Sequence, residues 1–266
     1  MLIDVHVHSS FSFDSDERIE NYIEQAKKLT VPVIGFSEHY DYDAYLDGAD
    51  IGLTDVKAYT ECLEKLREQV GSPEILCGIE FGYSQAAEGE YKRLACDKRF
   101  DYIINSVHTL PNRGDSYYPA FFEGTTTKQA YSDYFNAVLN SIKADFDYQI
   151  VGHLGYVSRY RNAPDGRIKY CDYAEILDEI LKEIIKRDKC LEINTSSGRA
   201  GSDFLPDRDI IERYLQLGGE KMSFGSDAHK AGDYTKKSGI LTDYLKGIGV
   251  KNLFYYKQRK AILYKI

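Results

Sequence analysis

A parallel α/β barrel is the fold this sequence predicts. Short apolar, β-branched runs alternate with helix-period segments along its whole length, which implies parallel strands joined by crossover helices. There are seven strand candidates. No Gly-rich phosphate fingerprint marks an open dinucleotide-binding sheet, and this favours a barrel.

The strand candidates, in order, are Leu2–His8, Val31–His39, Ile75–Tyr83, Tyr102–Leu110, Tyr148–Tyr156, Cys190–Ser196 and Lys221–His229. Helical periodicity is clearest between some of them. Glu17–Leu29 places Ile19, Tyr22, Ile23, Ala26 and Leu29 on one face, and Val56–Val70 does the same with Tyr59, Leu63 and Leu66. Tyr173–Arg187 carries the strongest stripe, Ile176, Leu177, Ile180, Leu181, Ile184 and Ile185. Asn112–Thr127 is too long and aromatic for a plain connector and reads as a loop over the barrel mouth. No linker or composition shift divides the 266 residues, a length one barrel domain can occupy.

Composition narrows the function. Apolar content of 43% and charge of 29% exclude a disordered chain. Net charge is −8 with no Lys/Arg cluster, which counts against nucleic acid as a partner and leaves small phosphates open, since bound cations dominate a local field. The five cysteines form no CxxC pair and read as reduced thiols. With no signal-like N-terminus and no run of ~18 apolar residues, the expected location is the cytoplasm, away from membranes. Tyrosine is abundant at 23 residues and tryptophan absent; neither fact points to a function.

The histidines do. All six stand at or near the end of a predicted strand: His6 and His8 on the first, His39 on the second, His108 on the fourth, His153 on the fifth and His229 on the seventh. The third strand ends with Glu80 instead. C-terminal strand ends of a parallel barrel meet at one face, so these residues converge. Period two points His6 and His8 to the same side. Asp14, Glu80 and Asp227 lie among them, making nine potential ligands, enough for two or three divalent ions such as zinc, iron or manganese. Paired ions clamp the attacking and leaving oxygens in phosphoryl transfer.

Eight stretches carry a family pattern: His6-x-His8, the Asp14 of HSSFSFDS, Glu38-His39, Gly78-Ile-Glu80, Ser106-Val-His108, Gly152-His153, Glu192-x-Asn194-x-Ser196 and Gly225-Ser-Asp227-Ala-His229. On these the chain resembles the polymerase and histidinol phosphatase (PHP) family, and within it the stand-alone histidinol-phosphate phosphatases. The resemblance implies a distorted seven-stranded (β/α) barrel and a phosphomonoesterase acting on L-histidinol phosphate in histidine biosynthesis. It also implies three metal subsites: His6, His8, Glu80 and Asp227; Glu80, His108 and His153; and Asp14, His39 and His229, with Asp16 as the alternative to Asp14. Glu80 would bridge two ions and Asp227 would orient the nucleophile. Arg199 and Arg159 would hold phosphate, with Arg161 in reserve. Glu38, Glu192 and Asn194 would face the substrate's ammonium and imidazole.

The chain departs from the pattern in two places. Gly155 stands where relatives carry an acid, and Ser196-Ser-Gly198 is stretched. Other phosphoesterases of the family (phosphodiesterase, nuclease, phosphotyrosine phosphatase) and a non-catalytic metal protein are the competing readings. An amidohydrolase would add a lysine on the fourth strand, which has none.

Overall fold

The computed structural model describes residues 2–46, 48, 51–111, 113–161, 166–198 and 201–266. The strands are β1 (Val33–Tyr40), β2 (Glu74–Gly82), β3 (Tyr102–Ser106), β4 (Thr109–Leu110), β5 (Gly114–Asp115), β6 (Ile150–Val151), β7 (Cys190–Asn194), β8 (Met222–Gly225), β9 (Asn252–Lys257) and β10 (Lys260–Lys265). The helices are α1 (Ile19–Lys28), α2 (Tyr42–Leu46), α3 (Val56–Gln69), α4 (Glu88–Ala95), α5 (Thr127–Lys143), α6 (Ala174–Lys186), α7 (Arg208–Gln216) and α8 (Ser238–Gly247).

Six strands form one parallel sheet in the order β1-β2-β3-β6-β7-β8. Every residue of β1 and β3 is buried, as expected of strands covered on both faces. The predicted first strand, Leu2–His8, is not a regular strand. It lies between the two sheet edges and bridges both, Asp4 to Ile34 and Phe224, and Val7 to Ala228. Gly35 and Ser37 donate to the Asp4 and Val7 carbonyls, while Val5 and His8 donate to the Phe224 and Ala228 carbonyls.

Other predicted strands are shorter than their apolar runs. Tyr102–Leu110 breaks after Ser106, and Thr109–Leu110 turns back on β5. Tyr148–Tyr156 keeps only Ile150–Val151 as ladder, because the chain beyond peels inward: the His153 amide donates to Glu192 Oε2 at 2.5 Å instead of to a neighbouring strand. The β9–β10 hairpin was not foreseen. Its turn residues, Gln258 and Arg259, both adopt positive φ (+50° and +64°) without the Asn-Gly or Asp-Gly that signals such a turn.

The core has two parts. Helix stripes such as Leu177, Ile180, Leu181 and Ile184 of α6 pack in an outer layer on the sheet. Inside the curl, Ile3, Val5, Leu76, Tyr102, Ile104, Ile150 and Cys190 fill the interior, and Tyr256 of the hairpin joins them at the N-terminal end of the strands. Glycines make room for Tyr102: a Cβ on Gly78 would sit 2.3 Å from its ring, and one on Gly35 would sit 2.3 Å from its hydroxyl. Several buried tyrosines cap strand carbonyls. Tyr59 donates to Phe36 and Gly78, Tyr102 to Val5 and Phe36, and Tyr91 to Gly82. A buried phenol needs an acceptor, and a carbonyl's second lone pair supplies one.

Candidate metal centre

Strand register builds the site. In the β1–β2 pair His39 lies opposite Glu80, so parallel pairing brings an imidazole beside a carboxylate. His6 and His8 reach the same place from the segment closing the sheet, and both are fully buried. Asp227, just past β8, holds positive φ (+54°), a conformation Asp tolerates better than most residues. Its amide donates to the His6 carbonyl at 2.8 Å.

Glu80 is the centre of the arrangement. Its Oε2 lies 3.2 Å from His6 Nε2, 3.5 Å from His8 Nε2 and 3.0 Å from His39 Nδ1. Its Oε1 lies 3.2 Å from His108 Nε2 and 2.8 Å from His153 Nε2. One carboxylate thus turns one oxygen to each of two sets of imidazoles. Asp227 divides similarly. Oδ1 stands 3.2 Å from His8 Nε2 and 3.8 Å from both His6 Nε2 and His229 Nδ1, whereas Oδ2 accepts from Arg159 Nη2 at 2.6 Å. Asp14 Oδ2 sits 3.4 Å from His39 and 3.0 Å from His229; Asp16 is exposed.

These atoms fit cations. His6 Nε2, His8 Nε2 and Glu80 Oε2 are buried with no hydrogen-bond partner, although they crowd together. Each orphan would cost about 1–3 kcal/mol in a dry interior, and a shared cation satisfies all three. The ligand atoms of His8, His39 and His229 lie within 4.8 Å of one another, as do those of His6, His8 and Glu80, and of His39, Glu80 and His108.

Outer partners orient the rings. His6 Nδ1 donates to Glu192 Oε1 at 2.5 Å, and His8 Nδ1 meets Ser12 Oγ at 3.3 Å, which donates onward to Glu38 at 2.6 Å. His229 Nδ1 meets the Asp227 carbonyl at 3.0 Å. Such contacts fix the tautomer that presents Nε2. Glu38, Glu192 and Asn194, expected to face the substrate, are all fully buried and already partnered: Glu38 accepts from Ser9 and Ser12, Glu192 holds His6 and the His153 amide, and Asn194 meets Arg159 and Asp227. Asp41, not anticipated, accepts from His108 Nδ1 at 2.7 Å. The available signal was its place two residues after His39, on the same face.

The centre is electrostatically divided. Burial disfavours a charged His6, yet Glu192, Glu80 and Asp227 outweigh it and lift its pKa well above the ordinary range. His108 is pushed up to about 10: Asp41 and Glu80 prevail over burial. His39 rises through Asp14 and Glu80 against the same opposition. His8 falls, from burial and from the neighbouring His39 and His229.

Arg159 is buried, with its guanidinium 4.9 Å from the Tyr156 ring centroid and its Nε unpartnered. Arg161 points elsewhere, over Phe122 and toward Thr127 Oγ1. Arg199 lies outside the described residues. The aromatic loop stands at this end of the sheet, its Asn112 also outside the described residues. Tyr117 packs on Tyr160, Tyr160 on Tyr156, and Tyr156 on His108. Asp115 accepts from the Tyr156 hydroxyl at 3.1 Å, and burial raises its pKa. A cleft of about 510 Å³ at the opposite end, lined by Lys98, Arg187 and Lys189 among others, contains none of the histidines.

Fold and site together define a class: a parallel α/β protein whose strand-end histidines and carboxylates form a cation-binding centre. The chain belongs to the PHP family, whose PHP domain matches residues 4–196. It is 31% identical to the probable histidinol-phosphatase of Clostridium acetobutylicum over 232 residues, covering 86% of this chain and 87% of that one. It is 30% identical to the histidinol-phosphatase of Lactococcus lactis, covering 86% and 84%. The crystal structure of histidinol phosphate phosphatase from Lactococcus lactis, complexed with zinc, L-histidinol and phosphate, superposes with a TM-score of 0.83 at 27% identity, covering 98% of both chains.

Proposed function

We propose that this chain is a metal-dependent phosphomonoesterase that hydrolyses L-histidinol phosphate to L-histidinol and phosphate, a cytoplasmic step of histidine biosynthesis. The observation that carries the chemistry is Glu80, with one oxygen toward each of two histidine sets. That geometry supports a bridging carboxylate. The substrate follows from the relatives, which are named for this activity over most of the chain.

His6, His8, Glu80 and Asp227 would hold one ion, Glu80, His108 and His153 a second, and Asp14, His39 and His229 a third. Zinc suits these donors, and so do iron and manganese. When bound, the ions supply an activated water near neutral pH and offset charge on the phosphoryl oxygens. The chain's own residues do the rest. Asp227 faces the histidines with Oδ1 and orients the attacking water. Arg159 is fixed by Asp227 Oδ2, and its remaining N–H groups address phosphate. Arg199 is the second expected phosphate contact. Asp115 and the Tyr117–Tyr160–Tyr156 wall replace Glu38, Glu192 and Asn194 as the acceptor and cover for the amino-alcohol end. The segment Leu2–His8 serves as the seventh stave of a distorted (β/α) barrel, and a single domain is supported by an interior that both chain ends help to fill.

Kinetics on histidinol phosphate and p-nitrophenyl phosphate, with and without chelator, test this. Histidinol phosphate should win by at least on the order of a hundredfold in kcat/KM, and chelation should abolish both activities. Equal rates, or preference for phosphotyrosine or a phosphodiester, would move the chain to another branch of the family; no metal-dependent turnover at all would leave a non-catalytic metal protein.

A further inference from the structure

We propose that Asp41 is a positioning residue that holds two histidines of different metal subsites, His108 and His39, with one carboxylate oxygen each. The proposal rests on the metal subsites described above. Asp41 follows β1 directly and is 5% exposed. Its Oδ1 accepts from His108 Nδ1 at 2.7 Å. Its Oδ2 is buried without a hydrogen-bond partner and lies 3.5 Å from His39 Nδ1, itself an unpartnered buried atom. Glu80 Oε2 stands 3.0 Å from the same His39 nitrogen, so an Nδ1–H at that place points between two carboxylate oxygens, one of them Asp41 Oδ2.

The space is built for this carboxylate. A Cβ on Gly82, at the end of β2, would sit 1.7 Å from Asp41 Oδ1 and 3.0 Å from His108 Nδ1. Glycine at that position therefore admits both groups. An imidazole that donates Nδ1–H to a carboxylate presents the Nε2 lone pair on its far side. For His108 that nitrogen faces Glu80 Oε1, and for His39 it faces Asp14. One buried acid would thereby set the tautomer of a ligand in two subsites and couple their occupancy.

The test uses zinc-loaded full-length protein. Long-range histidine ¹H–¹⁵N NMR of the wild type should show His39 and His108 both protonated at Nδ1 with Nε2 on the metal; Nδ1 metallation of either ring overturns the proposal, and this measurement needs no variant. Asp41→Asn presents an amide N–H₂ to one ring. It should lower zinc affinity in chelator competition about 10- to 100-fold and lose ions held by His108 and His39, while His6 and His8 remain metallated. Gly82→Ala should shift affinity in the same direction by displacing the carboxylate. Wild-type stoichiometry, affinity and tautomers in Asp41→Asn would sink the proposal and leave the metal centre standing; a wild type that binds no zinc would sink both.

Discussion

At the scale of single residues, the centre works by dividing carboxylates between neighbours. Glu80→Gln keeps the shape and removes the charge that two imidazole sets share, so bound metal should fall, with turnover, when measured by elemental analysis. Arg159→Ala removes a charged hydrogen bond of about 1.5–3 kcal/mol, which corresponds to a loss of roughly ten- to hundredfold in kcat/KM. Comparing it with Arg199→Ala shows which arginine holds phosphate, the affected one losing rate while keeping its metal. Asp115→Asn should raise KM for histidinol phosphate and leave p-nitrophenyl phosphate unchanged. The raised pKa values of His6, His39 and His108 have a definite sign. A raised pKa favours the protonated ring in the apoprotein, whereas ligation needs it neutral, so zinc uptake should release protons and weaken as pH falls. Calorimetry at pH 7.5 in buffers of different ionisation heat should show that release; ordinary histidines, with pKa near 6.5, would release little.

At the scale of elements, β1, β2 and the segment Leu2–His8 carry His39, Glu80, His6 and His8, and their spacing depends on a tyrosine threaded between glycines. A methyl at Gly78 would strike the Tyr102 ring, whose hydroxyl ties Val5 to Phe36. Overpacking of this kind costs about 1–3 kcal/mol, so Gly78→Ala should lower the urea midpoint without changing the slope, and metal affinity should weaken with it. The element boundaries explain which predictions held. α1, α3 and α6 fall within a residue or two of their predicted spans because an amphipathic stripe is a local signal. Val31–His39 and Ile75–Tyr83 kept nearly their full length, while others shortened because apolar runs continue where the ladder stops; in Tyr148–Tyr156 the residues past Val151 stay buried while leaving the sheet to form the site.

For the molecule as a whole, metal and fold are linked. The ligands come from segments between His6 and His229, so an ion that binds only the native arrangement stabilises it by mass action. Thermal unfolding should shift upward on zinc addition and downward with chelator. The C-terminal hairpin closes the other end of the same interior. Tyr256 is 4% exposed among the inward side chains, and the Tyr264 hydroxyl reaches the Ile3 main chain. Truncation after Lys251 would expose that interior, and the shortened chain should melt at lower temperature even when zinc is saturating.

Sequence alone determined which residues converge. Strand-helix alternation placed six histidines and Glu80 at the ends of apolar runs, and parallel topology requires such ends to share a face, so their meeting at one end of the sheet was legible before any coordinate. Tertiary structure decided what sequence spacing does not encode. It divided Glu80 and Asp227 between their partners, set Glu192 against His6 and Glu38 against Ser9 and Ser12, brought Asp41 against His108, and used the hairpin as a plug. Each of those depends on the direction of a side chain at a strand end or on a turn of unusual composition. Such directions are set by packing across the curled sheet between residues distant in the chain, and periodicity, a property of neighbours, does not register them.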